Sequence, residues 1–225
     1  MIRQFAFDLG PAEVFRAEDY FPSRSNAEAF GQVMGAEWPG NRLILVGPAG
    51  SGKSHLAHLW ADSVGAQVLF AGGLGRVDLA GVKGPIVVED APDLAGSAAA
   101  EEALFHLWNR AGPLLITAAC APRDWGLVLP DLVSRVQSMS LAHLAPPDDA
   151  LLSAVLVKLF ADRQVHVQPN LIAYLVARMD RSIAVARDLV ADLDAQALRL
   201  GKPITRALAA SIFGSSEGQD TDPDE

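Results

Sequence analysis

The chain is short of the residues that would staple it, anchor it in a bilayer or charge it for DNA. It has one cysteine, Cys120, so no disulfide can close within it, and a reducing compartment suits it. No apolar run reaches the roughly 18 to 20 residues that a membrane-spanning helix needs. The N-terminus has no charged stretch followed by an apolar core and a small-residue cleavage site, so no secretory leader is expected and a cytoplasmic location is. Basic residues are outnumbered: 18 Lys and Arg against 27 Asp and Glu give a net charge of −9. No Lys/Arg cluster offsets this. The chain is therefore a poor DNA binder by itself, because phosphate neutralisation supplies most nonspecific affinity. There is no internal repeat.

What is present is a globular composition, half hydrophobic and a fifth charged, unlike that of disordered chains. Its 225 residues suit one large domain or a large one with a small one. After an irregular lead-in over 13–22, Ser25 and Glu28 have the spacing of a capping box that would start a helix through Ala29, Phe30 and Val33. Short apolar runs at Arg42–Val46, Gln67–Phe70, Pro85–Glu89, Leu114–Ala118 and Ser138–Ala142 read as buried strands. Helical patterns at 52–63 and 98–111 lie between them, so crossovers and a parallel sheet covered on both faces are expected. Pro146 and Pro147 mark a change. Beyond them only helical patterns occur, at about 149–163, 170–178, 182–199 and 205–212. The predicted organisation is an N-terminal peptide (1–11), an α/β domain (12–145), a small all-α lid (146–213) and an acidic, disordered tail (214–225).

The strongest chemical signal is GPAGSGKS, comprising Gly47, Pro48, Ala49, Gly50, Ser51, Gly52, Lys53 and Ser54. It has the spacing G-x-x-x-x-G-K-[ST] and lies between a predicted strand and a predicted helix, as a phosphate-binding loop must. Its glycines let backbone N–H groups wrap phosphate oxygens at a helix N-terminus. Lys53 is expected on the β- and γ-phosphates and Ser54 on Mg²⁺. Glu89 and Asp90, closing the strand IVVED, are the candidate acidic pair, with Glu89 as a metal ligand. The longer residue comes first, the reverse of the usual Asp-Glu order, so hydrolysis geometry is expected to be compromised. Thr117 ends the strand LLIT, where a polar residue can touch the γ-phosphate or attacking water. A β-branched strand residue would read the same. Arg135, in LPDLVSRV, is either a paired surface residue or a finger that stabilises charge on a phosphoryl group in a neighbouring subunit. His55 and His58 lack a third ligand and read as ordinary helix residues, and Cys120 reads as a small packed one.

GPAGSGKSHL, VVEDAPDL, LLITAACAP and LPDLVSRV, in that order and at these intervals, resemble the AAA+ module of the DnaA-related family, and most of all its shortened, Hda-like branch of regulatory inactivators. The resemblance covers about residues 12–213. It implies a P-loop AAA+ three-layer α/β domain with a helical lid, binding ADP or ATP with Mg²⁺. It also implies that Gln4, Phe5, Phe7 and Leu9 of the opening peptide QFAFDL are similar to the hexapeptide that docks on the β sliding clamp. The Gln amide would hydrogen-bond at one pocket while the apolar side chains fill clefts. The other reading of that peptide is a first strand packed on its own domain. By resemblance, Arg135 is presented to ATP bound by DnaA, and DNA is reached only through the clamp. The initiator's helix-turn-helix domain has no counterpart in the sequence, and the family admits self-association as a homodimer or larger homo-oligomer.

Two positions depart from the pattern. Ala119 stands where the initiators have an acidic residue. Ala184 stands where the lid carries a phosphate-contacting arginine, and Arg187, on the same helix face, or Arg181 is the replacement. By family position, His55 also joins the cofactor set, and Phe21, Ser25 and Asn26 line an adenine pocket. A helicase-loader-type ATPase and a nucleotide-stabilised scaffold without a catalytic role are the alternative readings.

Overall fold

Each apolar run becomes a strand, and each crossover returns the chain to the same end of one parallel sheet. The structure, a computed structural model, describes residues 20–35 and 37–216. The strands are β1 (Arg42–Val46), β2 (Gln67–Phe70), β3 (Ile86–Glu89), β4 (Leu114–Ala118) and β5 (Ser140–His143). They lie in the order β2-β3-β4-β1-β5, every neighbouring pair parallel. Helix α1 (Ala27–Val33) precedes β1, and α2 (Lys53–Val64), α3 (Ala98–Arg110) and α4 (Pro130–Gln137) are the crossovers after β1, β3 and β4. All residues of β3 and β4 are buried, which is why these strands read as unbroken apolar runs rather than alternating ones.

The two sides of β1 show how the layers divide. Successive side chains point to opposite faces of a strand. Leu43 and Leu45 pack with Ala29, Val33, Leu56 and Trp60 of the α1–α2 side. Ile44 and Val46 pack with Leu104, Leu107, Leu132 and Val136 of the α3–α4 side. Trp38 and Trp60 meet on the first side with ring centroids 4.7 Å apart.

Four further helices follow: α5 (Asp149–Asp162), α6 (Pro169–Val176), α7 (Ile183–Leu200) and α8 (Arg206–Ser216). They bury a cluster of their own, including Leu152, Leu156, Phe160, Leu171, Leu175, Val190 and Leu193. Asp148 joins them to the sheet layers. Its carboxylate accepts the Leu151 N–H at 2.8 Å, capping α5, and the Ser25 N–H at 3.2 Å. These bonds hold the Asp148 carboxyl below its usual range, the Leu151 N–H foremost.

Three expectations need correction. The capping box does not form. Helix α1 starts at Ala27, and Ser25 Oγ lies 2.7 Å from Ser23 Oγ and accepts the Asp148 N–H at 3.4 Å, so a long-range partner outcompetes the local one. The fifth strand begins at Ser140 because α4 runs through Gln137 and Ser138 closes it, donating to the Arg135 carbonyl. The last helix continues through Ser216, past Phe213, where the apolar period that marked it stops. The expected irregular lead-in over 13–22 is described only from Tyr20 onward. Gln4, Phe5, Phe7, Leu9 and the tail beyond Ser216 lie outside the described residues.

Candidate functional site

The carboxyl ends of β1, β3 and β4 converge where the strand order reverses, the place where open α/β sheets bind ligands. The loop Gly47–Gly52 turns there from β1 into α2. Gly50 and Gly52 have φ of +69° and +97°, which side chains rarely adopt. A Cβ at Gly47 would stand 2.8 Å from the Leu144 carbonyl oxygen, and one at Gly50 would collide with Ser182 Oγ. The loop is pinned by the Gly47 N–H donating to the Ala118 carbonyl at 3.2 Å. Ser51 Oγ is buried with no hydrogen-bond partner among the described residues.

Lys53 starts α2 and is 8% exposed. Its ammonium donates to the carbonyls of Gly47 at 2.8 Å and Pro48 at 2.9 Å. Burial lowers its pKa, and Asp90 and Glu89 act in the opposite sense. A cavity of about 290 Å³ opens beside it, lined by Ala49, Gly50, Gly52, Lys53, Ser54 and His55 from the loop and α2. It is also lined by Asp90 and Ala119, and by Ile183, Ala184 and Arg187 near the start of α7.

Helix α7 is held on the loop directly. The Ile183 N–H donates to the Gly50 carbonyl at 2.7 Å, and Ser182 caps the helix by accepting the Val185 N–H at 3.4 Å. One helical turn later Arg187 reaches the cavity. Of the two lid arginines, Arg187 is the one that lines this cavity. Arg181 pairs with Asp149 at 2.8 Å and donates to the Pro147 carbonyl. It lines a separate groove with Phe21, Ser23 and Asp149. Neither Ser25 nor Asn26 lines that groove. The Asn26 side chain accepts the Ser23 N–H and donates to the Phe21 carbonyl, tying the local turn.

The acidic pair is arranged differently from the sequence expectation. Glu89, expected as the metal ligand, is 1% exposed, does not line the cavity, and lies 3.0 Å from His58 Nε2. Asp90 lines the cavity instead, with φ of +57°. Its N–H donates to Thr117 Oγ1 at 3.0 Å. Thr117, fully buried, thus holds the Asp90 backbone rather than facing the cavity. The physical reason is reach: the last strand residue packs toward α2, while the next one turns over the loop. His58 is the residue that sequence reasoning passed over. Ser54 and His58 are four apart and share a helix face, so the spacing carried the signal.

Arg135, in the last turn of α4, does not line the cavity. Its guanidinium lies over the Phe105 ring at 4.6 Å and the Trp108 ring at 5.8 Å, and donates to Asn109 Oδ1 at 2.8 Å.

The arrangement fits a phosphorylated ligand. A loop with no room for a Cβ at Gly47 and Gly50, a buried ammonium, an orphaned serine hydroxyl and an arginine lining the cavity are the parts that hold a polyphosphate. The Mg²⁺ expected with it has Ser54 and Asp90 among the cavity's lining residues, in keeping with an ion that keeps several waters and takes few protein ligands.

The parallel sheet, its covering helices and the helices that follow form a P-loop α/β fold of the AAA+ type. More particularly, the fold is that of the DnaA-related AAA+ proteins. The chain superposes on domain III of the Thermotoga maritima replication initiation protein DnaA with a TM-score of 0.73 and 17% identity, covering 93% of this chain and 98% of that one. For AMPPCP-bound DnaA from Aquifex aeolicus the TM-score is 0.63 at 14% identity, covering 80% of this chain and 64% of that one. For a Thermotoga maritima RuvB mutant it is 0.64 at 17%, covering 88% and 70%. At such identities the likeness is one of fold. No family model matches the chain, and no curated protein does.

Proposed function

We propose that the chain is a nucleotide-binding regulator of replication initiation that docks on the β sliding clamp and stimulates hydrolysis of ATP bound to DnaA. The observation that carries this is the separation of its two phosphate-directed devices. The loop, Lys53 and Arg187 surround one cavity, while Arg135 is presented on another face, away from it.

In this reading the backbone N–H groups of 47–54 and the Lys53 ammonium hold the phosphates of ADP or ATP, Ser54 and Asp90 hold Mg²⁺ and its waters, and Arg187 closes the cavity from the lid. The bound nucleotide supplies the negative charge that joins loop and lid. The chain's own hydrolysis is weak, because Glu89 is engaged by His58, Thr117 by the Asp90 N–H, and Ala119 offers no acid. Arg135 enters the triphosphate site of DnaA and stabilises charge on the phosphoryl group as water attacks, leaving ADP on DnaA. Gln4, Phe5, Phe7 and Leu9 tether the chain to clamp on DNA.

The test is turnover of ATP bound to DnaA with clamp loaded on DNA, with and without this protein. Acceleration that requires both clamp and Phe5 and Phe7 is expected. Clamp binding that survives Phe5→Ala and Phe7→Ala removes the tether, and no acceleration leaves a nucleotide-stabilised scaffold.

A further inference from the structure

Glu101, Phe105, Trp108 and Asn109 recur along α3 at i, i+4, i+7 and i+8, which places them on one face of the helix. All four meet α4 or the residues that begin it. Glu101 is 1% exposed, and its carboxylate accepts the N–H groups of Val128 at 3.0 Å and Leu129 at 2.7 Å. Leu129 is the N-cap residue just before α4, and it offers no side-chain cap of its own. Glu101 therefore fixes where α4 begins. At the other end of α4 the Arg135 guanidinium lies over Phe105 and Trp108 and bonds to Asn109.

The Asn109 amide is oriented for this. Its Nδ2 donates to the Phe105 carbonyl at 3.1 Å, so its Oδ1 is the end that faces Arg135. Trp108 is braced in turn. The Arg42 guanidinium lies 5.3 Å from its ring and donates to its carbonyl at 2.6 Å. The partners of Arg135 are rings and a neutral amide, and no carboxylate pairs with it among the described residues. Its charge is thus uncompensated while its plane is fixed.

We propose that this face of α3 is a positioning platform for Arg135, with Phe105 and Asn109 as its positioning residues. One guanidinium N–H is used on Asn109 and one face is covered by Phe105, leaving the other donors for an incoming triphosphate. A planar fork held in advance loses less freedom per hydrogen bond when it docks. The proposal rests on the reading that Arg135 acts on a triphosphate held by DnaA.

The test uses the full chain in the clamp-dependent turnover of DnaA-bound ATP, with Phe105→Leu, Phe105→Tyr and Asn109→Ala. Misplacing the fork is expected to lower the saturating rate by about tenfold to a hundredfold in Phe105→Leu and Asn109→Ala. The half-saturating concentration stays unchanged, and Phe105→Tyr, which keeps the ring, retains the wild-type rate. Asn109 is exposed, so its variant separates positioning from folding. ¹⁵N relaxation at Arg135 Nε gives a readout independent of hydrolysis: both damaging variants should lower its order parameter. Wild-type rates in Phe105→Leu and Asn109→Ala, or an unchanged order parameter, overturn the platform. An unchanged rate in Arg135→Ala overturns the underlying reading instead.

Discussion

At the scale of single residues, the loop glycines were legible as a motif, but the reason for each lay in distant contacts. The period and spacing of GPAGSGKS place Gly50 in a turn; only the fold shows that α7 occupies the space where its side chain would be. The two effects can be separated. Gly50→Ala combines a left-handed backbone, costing about 1 to 3 kcal/mol for an ordinary residue, with a collision at Ser182 Oγ. Nucleotide binding by titration calorimetry should weaken by about tenfold or more. Adding Ser182→Gly removes the hydroxyl and should recover part of that loss, since Gly at a helix N-cap costs only a few tenths of a kcal/mol relative to Ser. The acidic pair shows the limit of local reading. That Glu89 and Asp90 end a strand was visible; which of them reaches the cavity depended on where α2 puts His58 and where β4 puts Thr117, and no one-dimensional pattern holds that information. Cys120, read as a packed residue, does pack against the α3–α4 core.

At the scale of elements, strands were read well and helix starts less so. Three strands have the bounds that the apolar runs indicated, because a strand buried on both faces announces itself by composition alone. Helix α1 was misread because Ser25 has a partner 123 residues away in Asp148. That residue carries an element-scale prediction. Asp148 caps α5 and bonds the segment before α1, so Asp148→Ala should lower the unfolding free energy by about 1 kcal/mol near neutral pH. Its folded pKa is depressed, so its contribution is present above the unfolded value and is lost as pH falls through the folded one. The difference in melting temperature between wild type and Asp148→Ala should therefore hold steady from about pH 7 to pH 5 and shrink below about pH 4. A difference that grows on acidification would contradict the assignment. The link between Glu101 and the start of α4 spans 27 residues and was equally invisible before the chain was folded.

At the scale of the whole molecule, the sequence indicated an α/β layer followed by helices, and the fold follows that order. The relation between the parts was not legible. Helix α7 sits on the phosphate loop by a backbone hydrogen bond, Ile183 N–H to the Gly50 carbonyl, which any sequence could make. That contact brings Arg187 to the cavity and leaves Arg181 at the joint with Asp149, a choice that alignment by position could not make. The same architecture leaves Arg135 on a face of its own, held by α3. The net charge of −9 disfavours nonspecific contacts with DNA phosphates. The most direct measurement compares wild type with Arg135→Ala in the turnover of ATP bound to DnaA, at equal occupancy of clamp on DNA. Acceleration by wild type and its loss by roughly 10³-fold or more in the variant, with clamp binding and melting temperature unchanged, is the result expected. Equal acceleration by both proteins would remove Arg135 from the chemistry and contradict the account.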